Sequence, residues 1–118
     1  MIMVGIGMTN ATSTSSYLSS KSLTPTNNTT LKSVLKECAD KYSYASDSLQ
    51  ASVQDLANEE YDYAYIHITA AKDYPNACHN AFKRVPELVY PHELASRENG
   101  LKHICDVAMG IIDNLINL

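Results

Sequence analysis

Apolar residues recur along this chain at alternating steps of three and four, the spacing of a stripe on one side of an α-helix. The longest stripe runs Leu31, Leu35, Cys38, Tyr42, Ala45, Leu49, Val53, Leu56, and a second runs Tyr61, Ala64, Ile68, Ala71, Tyr74, Cys78, Phe82, Val85. They predict helices over 30–57 and 60–84. Between them stands Asn58, a residue that tolerates the left-handed conformation in which helices often end. Cys38 and Cys78 lie twenty residues to either side of Asn58. A turn there folds the two helices into an antiparallel hairpin whose stripes pair nearly rung for rung, with both cysteines on one rung. A disulfide needs Cα atoms roughly 4.4–6.8 Å apart, which a shared rung provides.

Two further segments complete the pattern. Ile2, Ile6, Thr9, Ser13 and Tyr17 keep helical spacing over 2–19, although Gly5, Gly7 and the run Thr12 to Ser16 lower the propensity. Residues 20–29 form a linker broken by Pro25, and Asn28 or Thr29 is placed to cap the helix that follows. Pro75 falls inside the third helix, where a kink near Ala71 to Tyr74 is expected rather than a stop, because the stripe continues in phase beyond it. A connector over 85–91 is bounded by prolines, with Pro91 suited to a first helical position. The last helix, 92–116, carries the stripe Leu94, Leu101, Ile104, Ala108, Ile111, Leu115, Leu118. With no strand signals, the prediction is an all-α fold, an antiparallel up-and-down four-helix bundle in one domain over 1–118.

Composition narrows the function classes. The chain has 118 residues and a formal net charge of −4. It has no basic run of the kind a nucleic-acid surface needs and no apolar stretch long enough to span a membrane. The three cysteines leave Cys105 as a free thiol if Cys38 and Cys78 pair. A disulfide belongs to an oxidising compartment, and the glycosylation acceptor pattern occurs at Asn10, Asn27 and Asn28. Met1 to Met8 is apolar but lacks the positive flank and cleavage site of a secretory leader. A leader lost ahead of Met1 reconciles these observations.

Catalytic signals are sparse. There is no Gly-rich phosphate loop, no H-E-x-x-H and no CxxC. His79 beside Cys78 and His103 near Cys105 point in different directions on a helix, so neither pair forms a chelate. No cofactor and no metal site is expected. Cys105 lies beside the apolar stripe, where a thiol behaves as a small hydrophobe.

Two features stand out at the predicted turn: the acids Asp55, Glu59, Glu60 and Asp62, and the tyrosines Tyr63 and Tyr65, which lie off the stripe. Eight tyrosines against one phenylalanine and no tryptophan is a skewed aromatic set. Tyr42, Tyr61 and Tyr74 are core candidates, each needing a partner for its hydroxyl. Tyr63 and Tyr65 beside the acids read either as ordinary amphipathic surface or as a partner-binding surface, since aromatic residues are enriched in interface hot spots.

The stretch Leu31-Lys32-x-x-Leu35-Lys36-Glu37-Cys38-x-x-x-Tyr42-x-x-Ala45-x-x-x-Leu49-x-x-Ser52 resembles the second bundle helix of the plant invertase and pectin methylesterase inhibitor family. Tyr61-Asp62-x-Ala64, Ala70-Ala71 and Cys78-x-x-x-Phe82 are similar to its third, and Leu101 to Leu115 to its last. The resemblance implies a secreted protein of the cell wall or apoplast that is not an enzyme. It implies that the protein blocks the cleft of a carbohydrate-active enzyme and that a Cys38–Cys78 disulfide pins its bundle. Pectin methylesterase is the first expected partner and cell-wall or vacuolar acid invertase the alternative, beside an inactive structural remnant. Ala77-Cys78-His79-Asn80 stands where pectin methylesterase inhibitors read Thr-Cys-x-Asp, and the Pro-Lys-Phe triplet of invertase inhibitors is absent. The family's N-terminal helical hairpin, with its own disulfide, is also missing here.

Overall fold

The computed structural model describes residues 1–25 and 27–117. Four helices follow in order: α1 Ile2–Ser22, α2 Thr29–Ala57, α3 Tyr61–Lys83 and α4 His92–Ile116. Each helix packs on its two neighbours around a ring, α1 on α2 and α4, α3 on α2 and α4, and among the described residues no Cα atoms of the diagonal helices come within 8 Å of each other. The connections are short, so neighbours in sequence run antiparallel. The molecule is a rod of 55 × 21 × 18 Å.

The α2–α3 seam forms along its predicted stripes. Leu35, Cys38, Tyr42, Ala45 and Leu49 are buried against Ala64, Ile68, Ala71, Cys78 and Phe82, while both ends of the seam are half-buried. Cys38 and Cys78 form a disulfide with Cα atoms 4.6 Å apart. Asn28 caps α2, its Oδ1 accepting the Leu31 N–H at 2.9 Å. Pro75 is buried within α3, which runs unbroken through it to Lys83. Pro91 is the cap of α4 rather than its first residue.

The two outer helices turn different faces inward from those predicted. In α1 the buried residues are Val4, Gly7, Ala11, Thr14, Leu18 and Ser22, whereas Ile2, Ile6, Thr9 and Ser13 are exposed. The apolar residues of α1 are spread around the helix, so periodicity does not set its face. Close approach does: a Cβ on Gly7 would stand 3.0 Å from Leu49 Cδ1 and 3.3 Å from Ile104 Cγ2. The small residues Gly7 and Ala11 therefore face the neighbours, since only they admit such contact.

In α4 the buried series is Leu94, Glu98, Leu101, Cys105, Ala108, Ile112. Ile111 and Leu115 are exposed and Ile104 is half-buried; Leu118 lies outside the described residues. Cys105 thus belongs to the core stripe itself. The charge of Glu98 hid this phase, because a carboxylate does not look like a core residue until its partners are known.

Candidate functional site

The hairpin tip is built by the backbone. The N–H of Glu60 donates to the carbonyl of Asp55 at 2.8 Å and the N–H of Glu59 to that of Leu56 at 3.1 Å. These are the two bonds of a Schellman closure, which satisfies the last carbonyls of α2. The closure needs one left-handed residue. Asn58 stays right-handed at φ −95°, and Glu59 takes the position at φ 58°. The predicted helix-ending asparagine is thus one residue early. For a residue with a Cβ the left-handed conformation costs about 1–2 kcal/mol. Here it turns the chain straight into α3, whose first turn carries Glu60 as cap and Asp62. Negative charge there suits the positive end of the helix dipole.

Four of the six predicted surface residues come together. Glu59, Glu60, Asp62 and Tyr63 line an open depression of about 340 Å³ together with Tyr61, Leu115 and Ile116. Tyr63 is 58% exposed. The other two are drawn elsewhere. Asp55 is tied to His67 across the hairpin, and Tyr65 is half-buried against the core, its carbonyl accepting the Thr69 hydroxyl at 2.8 Å. Sequence reasoning missed Leu115 and Ile116. An up-and-down topology puts the end of α4 beside the start of α3, and that signal would have found them.

The depression brings three carboxylates and two tyrosines together with the exposed apolar side chains of Leu115 and Ile116. Among the described residues no group of three or more His, Cys, Asp or Glu is placed to hold a metal ion. Also among the described residues, no helix is long and apolar enough to cross a membrane.

A second polar cluster sits toward the other end of the bundle and is structural. Glu98 is buried, accepting Tyr90 Oη at 2.8 Å and Lys102 Nζ at 2.6 Å, with His79 Nδ1 at 3.1 Å. Burial alone would raise its carboxyl. Hydrogen bonds from Lys102 and Tyr90, then the charges of Lys102 and His79, outweigh this and hold it below the usual carboxylate range. The Tyr90 ring stacks on His79 with centroids 4.0 Å apart and meets Phe82 edge-on at 5.1 Å. The cluster straps the 84–91 connector to α3 and α4. Cys105 is free and buried, and burial, reinforced by the Asp106 charge, pushes its thiol up to about 12.

A profile described as plant invertase/pectin methylesterase inhibitor matches residues 1–111. The chain belongs to that family. It is 51% identical over 115 residues, 98% of its length, to "Cell wall / vacuolar inhibitor of fructosidase 2" of Arabidopsis thaliana. It is 40% identical over 83 residues, 70% of its length, to "Pectinesterase inhibitor 28" of Oryza sativa subsp. japonica. The chain spans 64% of the first relative and 37% of the second. A crystal structure of a pectin methylesterase inhibitor from Arabidopsis thaliana superposes with a TM-score of 0.84 at 20% identity, covering 95% of this chain and 72% of that one. At that identity the likeness establishes the helical-bundle fold.

Proposed function

We propose that this family member is a non-catalytic inhibitor that docks its hairpin tip on a plant cell-wall carbohydrate-active enzyme and shuts the substrate cleft. The observation that carries the target is the 51% identity with a fructosidase inhibitor along nearly the whole chain. Invertases are fructosidases, so acid invertase is the first target. Pectin methylesterase, the first partner implied by the family resemblance, is the second reading, supported by the 40% identity with a pectinesterase inhibitor. Inhibition is steric. A helical hairpin already fixed by a disulfide loses little conformational freedom on docking, and the carboxylates at its tip steer it toward a basic rim. The disulfide and the first relative's name support an extracellular cell-wall or vacuolar setting.

The test is titration of the purified chain into an acid invertase and, separately, into a pectin methylesterase at mildly acidic pH. Stoichiometric loss of invertase activity is expected. The double substitution Glu59→Lys and Asp62→Lys should slow association about tenfold at low salt while the fold is kept. If neither enzyme is inhibited, the proposal fails.

A further inference from the structure

Three asparagines carry the acceptor pattern for N-linked glycosylation, and the fold treats them differently. We propose that the connector ahead of α2 carries the glycan, on Asn27, and that Asn10 does not. The proposal rests on the secretory setting inferred from the Cys38–Cys78 disulfide, and it is independent of which enzyme is inhibited.

Transfer joins C1 of an oligosaccharide to the asparagine Nδ2. The C1–O bond to its lipid diphosphate donor breaks, Nδ2 loses a proton, and the lipid diphosphate leaves. The reaction occurs as the chain enters the secretory pathway, before folding is complete. The folded structure therefore decides which additions the bundle survives, and Nδ2 is the atom to follow.

Asn10 lies in the middle of α1 on the side packed against α4. Its Nδ2 donates to the carbonyl of Arg97 at 3.5 Å, and its Oδ1 accepts the Thr14 hydroxyl at 3.3 Å. The same Nδ2 stands 3.4 Å from where a Cβ on Gly100 would be. The interhelical space there takes one extra methyl group at ordinary van der Waals distance, and a sugar is many times larger. A sugar on Nδ2 would push α1 from α4 and open the core, so a chain carrying it could not adopt this fold.

Asn28 is committed to α2. Its Oδ1 accepts the Leu31 N–H at 2.9 Å and so caps a 29-residue helix. Capping fixes the side-chain rotamer and with it the direction of Nδ2. In the folded chain both residues that complete its acceptor triplet, Thr29 and Thr30, are helical.

Asn27 precedes the cap. Like Asn28 it is exposed and lies outside α2, but only the last residue of its triplet, Thr29, is helical. A glycan there projects from the connector between α1 and α2. That connector is separated from the hairpin tip by the length of α2, about 40 Å. The modification therefore covers the connector end of the rod and leaves the docking end clear.

The overlapping triplets can be separated without touching either asparagine. Thr29→Ala destroys the Asn27 triplet but leaves Asn28-x-Thr30 intact. Thr30→Ala destroys the Asn28 triplet alone, and Thr12→Ala that of Asn10. The full chain and each variant are expressed in plant cells behind a cleavable secretory leader. They are then compared by gel mobility before and after enzymatic deglycosylation, with mass spectrometry locating the asparagine that deglycosylation converts to aspartate. The expected result is one glycan-sized step in the parent chain, in Thr12→Ala and in Thr30→Ala, located at Asn27, and complete loss of that step in Thr29→Ala. An unglycosylated parent chain, or a glycan located at Asn10 or Asn28, overturns the proposal. So does retention of the step in Thr29→Ala. Enzyme inhibition is scored separately, so failure of the inhibitor reading leaves this result standing.

Discussion

Asp55 near the end of α2 and His67 in the second turn of α3 are joined across the hairpin, with Oδ2 and Nδ1 2.5 Å apart. The carboxylate is mostly covered while the imidazole is 39% exposed. This contact ties the two helices one to two turns below the left-handed residue Glu59.

Separating the tie from the docking surface gives the first prediction. Asp55→Ala should lower stability by about 0.5–1 kcal/mol, the range of a partly exposed pair, and leave enzyme inhibition unchanged. Glu59→Gly should raise stability by about 1 kcal/mol by relieving the left-handed strain. Chemical denaturation measures both, and an Asp55→Ala variant that folds normally but no longer inhibits would show that Asp55 belongs to the interface.

The thiols should differ sharply. The disulfide closes a loop with a sequence separation of 40, for which chain entropy predicts about 4 kcal/mol. Since small domains hold about 5–15 kcal/mol in all, Cys38→Ser should bring the protein close to unfolding at physiological temperature. Cys105→Ser should cost much less. Cys105 is buried with its thiol held at about 12, so it should resist alkylation at neutral pH in the native state and react once the chain is unfolded. Mass spectrometry after alkylation distinguishes the two states.

Glu98 gives the bundle a definite pH response. Its folded carboxyl lies below the usual value, so its stabilising contribution is complete above the unfolded value of about 4.3 and is lost as pH falls through the folded one. Glu98→Gln should cost about 2 kcal/mol near neutrality. The gap between the variant and the parent should close as pH drops well below 4.3. Thermal melts across pH 2–7 check the sign; a gap that widens in acid would contradict it.

Tyr42 and Tyr90 should respond in opposite ways to loss of the hydroxyl. Tyr42 is fully buried, and its hydroxyl makes no well-formed hydrogen bond. Burial first, then the Glu98 charge, drives its pKa up. Tyr42→Phe should therefore be neutral or stabilising, because a buried hydroxyl without a good partner is a net cost. Tyr90→Phe loses the bond to the Glu98 carboxylate and should destabilise by about 1–2 kcal/mol. Paired melting curves decide.

The parts legible in sequence are those whose physics is local. Alternating steps of three and four drew the helices nearly to their ends. The equal distances of Cys38 and Cys78 from Asn58 anticipated one rung, which holds because α2 and α3 have strong apolar stripes that meet only in that register. The same logic failed where the stripe was weak or disguised. On α1 the inward face is set by how closely Leu49 and Ile104 approach Gly7. On α4 a charged residue occupies a core position.

The sequence by itself determined the four helices, the hairpin and the family, since periodicity, cap residues and motif spacing are properties of one segment at a time. Tertiary structure alone decided that Asn10 lies against α4, that Asp55 is a tie, and that Leu115 and Ile116 line the tip. Each of those depends on what another helix brings within a few ångströms, and no single segment encodes that distance.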